Sequence, residues 1–344
     1  MRGALIGCGF FAQNHLNAWR DLAGEGIELV AVCDRDRRRA ESAACAFGVS
    51  NANDHAGQML ATEKFDFVDI ATRMDTHTEL ARIAAEKGVR VIAQKPLAPA
   101  WDEAVGIVKT ARAAGAPLAV HENFRFQVPM RKLKALLDSG AIGALSWARI
   151  AFRTGYDIYA LQPYFRKEKR LAILDVGIHV LDLARFFVGE VDRVSCETQR
   201  RSPLNAGEDT ATMLLCHRSG AVSIVECTCE ARVDPDPFPE TEVVIEGEKR
   251  SVRLAPGAVA HLVRPGGRET IDFNSPLLKW TERPWHVMQE SVLLTQRAIA
   301  AAWNAGREAE TSGLDNLKTF ALAEAAYAAA ASGRAVAPLE FESY

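Results

Sequence analysis

The 344-residue chain reads as α/β. An N-terminal doubly wound Rossmann domain is predicted over residues 1–122, and a C-terminal α+β domain with a large, mostly antiparallel open sheet over 123–344. Three observations predict this. A strand, a glycine turn and a helix follow one another at the start; apolar strands and helical patterns then alternate as far as His121; after Arg125 the pattern changes to closely spaced strands. The length allows two separate cores, and no tract has the composition of a long disordered segment.

Ala4-Leu5-Ile6 is a buried strand, Gly7-Cys8-Gly9-Phe10-Phe11-Ala12 a tight turn, and Gln13 to Asp21 the helix that follows. A glycine without Cβ lets the backbone approach a pyrophosphate, and the helix N-terminus offers N–H groups and the positive end of a dipole. Ala12 stands in place of the third glycine, which the pattern allows. Leu29 to Cys33 is the second strand, and it ends at Asp34. A carboxylate there accepts hydrogen bonds from the adenosine ribose hydroxyls and repels a 2′-phosphate. NAD is therefore favoured over NADP, although Arg35, with Arg37, Arg38 and Arg39 close behind, offers a partner for a phosphate.

Phe67 to Ala71 is the next strand, followed by a helix from Thr78 to Glu86 that Gly88 closes, the strand Val89 to Ala93, a helix from Asp102 to Ala114 and the strand Pro117 to Val120. In such sheets the ligand crevice lies beyond the carboxyl ends of the strands. Thr72, His77, Gln94, Lys95 and Asn123 stand there and are added to the glycine turn, Asp34 and Arg35 as candidate cofactor-binding residues.

The second domain begins with a helix from Pro129 to Ser139 and another from Gly177 to Val188. Strands are predicted at Val191 to Gln199, Thr210 to Cys216, Ala221 to Glu230, Glu240 to Ile245, Ser251 to Leu254 and Glu269 to Phe273. Alternation in Val222-Ser223-Ile224-Val225-Glu226 gives the sheet two unlike faces, one to cover helices and one able to pair with a second subunit. Ala-rich helices at Leu293 to Ala302 and Leu317 to Ala331 finish the chain.

A formal net charge of −3 gives no reason to expect nucleic acid or an anionic membrane surface as partner. Seven scattered cysteines without metal-type spacing suit a reducing cytoplasm, and no metal site is expected. Cys227 and Cys229 would share one face of a strand as packing residues. The apolar start is short and fully used by the first strand, so no secretory signal is expected, and no stretch approaches a membrane span.

Lys95 directly follows a strand at the crevice, with Pro96 fixing its backbone, and Asp175 and His179 stand four apart around a helix start with Gly177 between them. Removing a hydroxyl proton while hydride leaves the same carbon needs a base near neutrality and a positive neighbour, and a histidine with a lysine meets both needs. Singly, each is better read as an exposed lysine or a satisfied core histidine; their coincidence changes the balance. The glycine turn, Asp34, Gln94-Lys95-Pro96, and Leu174-Asp175-Val176-Gly177-Ile178-His179-Val180-Leu181-Asp182 followed by Gly189-Glu190 resemble the Gfo/Idh/MocA oxidoreductases nearly end to end. The resemblance implies sugar or cyclitol dehydrogenation, assembly of dimers or tetramers through the open sheet, and roles for three residues. His179 would be the general base, Lys95 would hydrogen-bond the reacting oxygen, and Asp175 would hold a substrate hydroxyl and orient the lysine. Two positions depart from the family pattern: Gln94 stands where Glu is usual, and Thr72-Arg73-Met74-Asp75 replaces a Thr-Pro-Asn run.

Arg125, Arg153, Tyr156, Asp157, Gln162 and Tyr164 are the candidate substrate-binding residues, since flat rings meet sugar C–H faces while amides, carboxylates and guanidinium meet hydroxyls. The two arginines can bind a substrate carboxylate or be paired to Glu122 and Asp157. Trp285 and His286 belong either to the pocket or to an interface. Gln94-Lys95-Pro96, His121 to Gln127 and Gln162-Pro163-Tyr164 look most like the branch of the family that includes D-apiose dehydrogenases, which oxidise an aldose at C1 to a lactone. Two other classes stay open: a hydrolase or isomerase that keeps NAD bound, and a non-enzymatic sugar- or redox-responsive regulator.

Overall fold

The computed structural model describes residues 1–160 and 162–341, so the last three residues of the predicted second domain lie outside it. The described residues divide into two compact units, one of 1–123 with 289–317, the other of 124–288, position 161 aside, with 318–341.

The first unit alternates strands and helices: β1 (Arg2–Ile6), α1 (Ala12–Leu22), β2 (Glu28–Cys33), α2 (Arg37–Phe47), β3 (Asn51–Asn53), α3 (Ala56–Thr62), β4 (Phe67–Ile70), α4 (His77–Glu86), β5 (Arg90–Gln94), α5 (Trp101–Ala113) and β6 (Leu118–His121). The sheet runs β3-β2-β1-β4-β5-β6 with every pair parallel. This is the doubly wound order, and it reverses direction beside β1. Leu5 and Val32 pack against Leu16 of α1 and Ala40 and Ala43 of α2, which explains why these short helices carry apolar residues on one side only.

The second unit opens with α6 (Val128–Asp138) and β7 (Leu145–Arg153), passes through α7 (Ile178–Val188), and continues through β8 (Val191–Gln199), β9 (Thr210–His217), β10 (Val222–Thr228), β11 (Glu242–Gly247), β12 (Ser251–Ala255), β13 (Val259–Arg264) and β14 (Gly267–Asp272). Its sheet has the order β14-β13-β12-β11-β7-β10-β9-β8. Only β7 and β10 pair in parallel among the described strands; the others are antiparallel, as the alternation predicted. Ala148, Ile150 and Phe152 are buried on one side of β7 and α7 packs there, while Trp147, Arg149 and Arg153 face the other way. Gly177, at the start of α7, permits that packing: a Cβ on it would lie 3.2 Å from Cys227 Sγ on β10.

The helices α8 (His286–Asn304) and α9 (Gly313–Ser332) end the chain. Here the partition differs from the single boundary predicted at 122/123, because residues 289–317 return to the first unit. The edge strand β6 is the reason: Val120 N–H donates to Thr311 O at 2.8 Å, and Gly313 lies so close to Leu118 that a Cβ would stand 2.7 Å from its side chain. The strands β7 and β13 are additions to those predicted, as are β3, α2 and α3. All seven cysteines are free thiols.

Candidate active site

The glycine turn is shaped for close approach. Gly7 has φ +98°, and a Cβ there would sit 2.7 Å from the Ala71 carbonyl, so only glycine fits. At Gly9, by contrast, a Cβ would meet nothing within 4 Å, which leaves open space above the backbone. The helix that follows has no side-chain N-cap, so its first turn remains available to an anion. Phe10 is exposed and Phe11 half-buried beside it, while Ala12 is buried against Leu5.

Asp34 is tied into this turn. Its Oδ2 accepts from Cys8 N–H at 2.8 Å and its Oδ1 from Asp36 N–H at 2.9 Å, and each oxygen retains a lone pair for a ribose hydroxyl. Arg37 pairs with Glu41 and Asp54, Arg38 and Arg39 share Asp36, and Arg35 is exposed. An open turn, an uncapped helix and a carboxylate at the end of β2 together fit a dinucleotide.

Beyond β4 the arrangement departs from expectation at one residue. His77 is fully buried, with Nδ1 3.1 Å from Leu97 O and Nε2 3.2 Å from Thr72 O. Both ring nitrogens face backbone carbonyls, which places the ring between two loops at a position where a cofactor contact was predicted. Burial, the strongest influence, pushes its pKa down. Thr72 is half-buried and accepts a hydrogen bond from Thr76 at 2.7 Å. Asn123 is likewise turned inward: it is buried, and its amide donates to Ser291 at 2.6 Å. Gln94 and Lys95 are half-buried at the end of β5, with the Lys95 N–H donating to Gln94 Oε1 at 2.7 Å.

In the second unit, Asp175 lies on a π-helical turn, Ile173–Gly177, that leads directly into α7, where an ordinary helix start was predicted. Such turns displace side chains from the regular helical array and recur at functional sites. Asp175 is half-buried and lines a small cavity with Tyr159, Asp209, Thr228 and Cys229. His179, one helical turn further on, is buried and stacks face to face on Phe124, with centroids 3.8 Å apart and planes at 5°.

The candidate substrate residues divide into four groups. Arg125 is an interior residue: its guanidinium makes a buried two-pronged contact with Asp182, one hydrogen bond being 2.7 Å, and Thr319 donates to the same carboxylate at 2.9 Å. Arg153 projects from the other side of β7 and lies 3.5 Å from Glu226, which also pairs with Arg149. Both arginines thus meet carboxylates of the protein, Asp182 and Glu226, which the sequence reading had not named. Asp157 caps its own turn, accepting from the N–H groups of Tyr159 and Ala160, and Gln162 accepts from Tyr164 OH at 2.8 Å. Tyr156 stacks on Phe238 at 4.0 Å, with Trp285 edge-on at 5.5 Å. Phe238 lies 6.4 Å from Phe152, and Phe152 lies 6.0 Å from Phe124, so a run of aromatic rings connects Tyr156 to His179.

Asp182 and Glu190, the last acidic residues of the conspicuous 174–190 motif, are structural anchors. Arg185 bonds Glu190 at 3.0 Å and donates to Thr319 at 2.7 Å. Burial works to raise the Glu190 carboxyl, but Arg185 and then Lys318 outweigh it and hold the pKa at about 2. Phe124, Phe238, His15 and Asp69 were not singled out in the sequence; the helical spacing of His15 and Trp19 on the buried side of α1 was the available signal for the last pair.

Comparison with known proteins agrees with this geometry. Residues 1–122 match the model of an oxidoreductase family with an NAD-binding Rossmann fold, and residues 130–253 match the Gfo/Idh/MocA C-terminal domain. A D-apiose dehydrogenase from Rhizobium rhizogenes is 46% identical over 98% of this chain and 97% of its own. A second, from Paraburkholderia graminis, is 43% identical over 97% of this chain and 89% of its own. A crystal structure of an oxidoreductase from Agrobacterium radiobacter, in complex with NAD+, L-tartaric acid and magnesium, superposes with a TM-score of 0.95 at 45% identity over 98% of both chains. The chain is a member of the Gfo/Idh/MocA family of NAD-binding oxidoreductases.

Proposed function

We propose that the chain oxidises the C1 hydroxyl of an aldose, D-apiose, to the lactone with NAD as acceptor. The observation that carries the reading is the carboxylate of Asp34 fastened into an open glycine turn, in a chain 46% identical to a D-apiose dehydrogenase. NAD, when bound, accepts the hydride from C1. The rest is the work of side chains: His179 takes the hydroxyl proton, Lys95 stabilises the developing alkoxide and Asp175 holds a neighbouring hydroxyl. Phe124 sets the plane of the His179 ring, and the aromatic run ending at Tyr156 and Trp285 offers flat faces to a sugar. Oxidation leaves lactone, NADH and one proton.

The seven free thiols support a cytoplasmic setting, and among the described residues no helix is long and apolar enough to cross a membrane. Exposed Leu214 and half-buried Ile224 and Trp147 on the outward side of the second sheet support pairing of that face with a second copy. The test of the roles is turnover of D-apiose with NAD by the wild type, Lys95→Ala and His179→Ala. Each variant should lose at least about 100-fold in kcat; full turnover by either would remove that residue from the chemistry.

A further inference from the structure

The first unit contains a chain of hydrogen bonds whose buried members have no part in the reaction above. Asp69, in β4 with no exposed surface, presents Oδ2 to three donors: His15 Nδ1 at 2.7 Å, Trp19 Nε1 at 2.7 Å and Gln296 Nε2 at 3.2 Å. His15, also without exposed surface, places Nε2 at 3.2 Å from Gln94 Nε2. Gln94 in turn accepts from the Lys95 N–H at 2.7 Å.

One group fixes the direction of the whole chain. A backbone N–H only donates, so the Gln94 oxygen must face Lys95 and its NH2 must face His15. His15 then presents a lone pair at Nε2 and carries its proton on Nδ1, where Asp69 accepts it. Burial works to raise the Asp69 carboxyl, but His15 outweighs it and holds the pKa below the ordinary range. The groups facing His15 complete the picture. Phe11 of the glycine turn and His121 of β6 pack against its ring, the latter at 4.3 Å. Burial, the largest influence, pushes the His121 pKa down to about 3, so it adds no charge at neutral pH.

We infer that His15 and Asp69 are positioning residues for Lys95, acting through the Gln94 carboxamide, and that an amide at position 94 confines the His15 proton to Nδ1. The inference rests on the reading of Lys95 as catalytic. A glutamine held at both ends cannot change rotamer, so the backbone one residue beyond β5 is fixed where the lysine must reach its oxygen; displacement by about 1 Å can cost about 100-fold.

The test uses the full chain with NAD and D-apiose. His15→Phe keeps a ring against Phe11 and His121 but has no nitrogen, and it should lower kcat about 10- to 100-fold with the NAD dissociation constant little changed. Gln94→Ala should lower kcat by a similar factor, and the double variant should be no worse in kcat than the worse single one, as expected of residues acting in series. Additive losses would overturn the chain. A second readout needs no turnover and no substitution at the buried position. In protein labelled with ¹⁵N-histidine, His15 should show one protonated and one lone-pair nitrogen; in Gln94→Glu, whose carboxylate only accepts, both should be protonated. An unchanged His15 spectrum in Gln94→Glu would refute the inference. Full turnover by Lys95→Ala would sink the catalytic reading instead, whereas loss at Lys95 with none at His15 or Gln94 would sink this inference alone.

Discussion

The side chain of Asp34 accepts a hydrogen bond from the backbone N–H of Cys8 at 2.8 Å, joining the end of β2 to the glycine turn. One carboxylate therefore shapes the turn and, in the proposed reading, accepts from the ribose. Asp34→Ala should weaken NAD about 10- to 100-fold, the worth of a hydrogen bond to a charged group. It should weaken NADP less, because the repulsion of a 2′-phosphate disappears as well. Titration of both dinucleotides by fluorescence checks this, and an unchanged ratio of affinities would contradict it.

The Arg125 and Asp182 pair predicts a loss of stability where the sequence suggested a role in substrate binding. Both side chains are buried, and Asp182 also receives Thr319. Asp182→Ala leaves a buried guanidinium short of its principal partner and should cost about 3–5 kcal/mol, read from the midpoint of denaturant unfolding. A change in KM with unchanged stability would return Arg125 to the substrate site.

Acid should destabilise the protein in two stages. His121 has its pKa depressed from 6.5 to about 3, so the unfolded chain binds more protons between those values and stability falls as pH drops below 6.5. Glu190 is depressed from 4.5 to about 2, so its contribution is complete above 4.5 and is lost as pH falls toward 2. Melting temperature measured against pH should therefore begin to decline above the carboxylate range. Replacing His121 with Phe should make the first stage shallower, the other histidines lowered by burial still contributing, and leave the second.

Phe124 lies flat against His179. Phe124→Leu removes the surface that fixes the imidazole plane, and kcat should fall about tenfold or more while the NAD dissociation constant is retained. Equal kcat in variant and wild type would make the stack a packing contact only.

Much of the fold was legible because it is written in local pattern. The strand, glycine turn and helix of residues 2–22 and the alternation of β8 to β11 follow from periodicity alone. The elements missed have weak patterns: β3 is Asn-Ala-Asn, and α2 buries only Ala40 and Ala43 under a run of arginines. The return of residues 289–317 to the first unit could not be read locally, since it depends on Thr311 meeting the edge of β6 more than 190 residues earlier. The site shows the same division. The place of Asp34 and the glycines was legible because position at the end of a strand is set by local pattern. The partners of Arg125, Arg153, Asp157 and His77 were not, because a charged or polar side chain beside a crevice has the same sequence signature whether it meets a ligand or the protein itself.

The central claim is tested most directly by incubating the purified protein with NAD, and separately with NADP, against D-apiose, other pentoses, hexoses, inositols and uronic acids, following the absorbance of the reduced nicotinamide. The account predicts turnover with NAD, highest kcat/KM on D-apiose and a lactone as the first product. Turnover of an inositol or uronic acid but no aldose would contradict it.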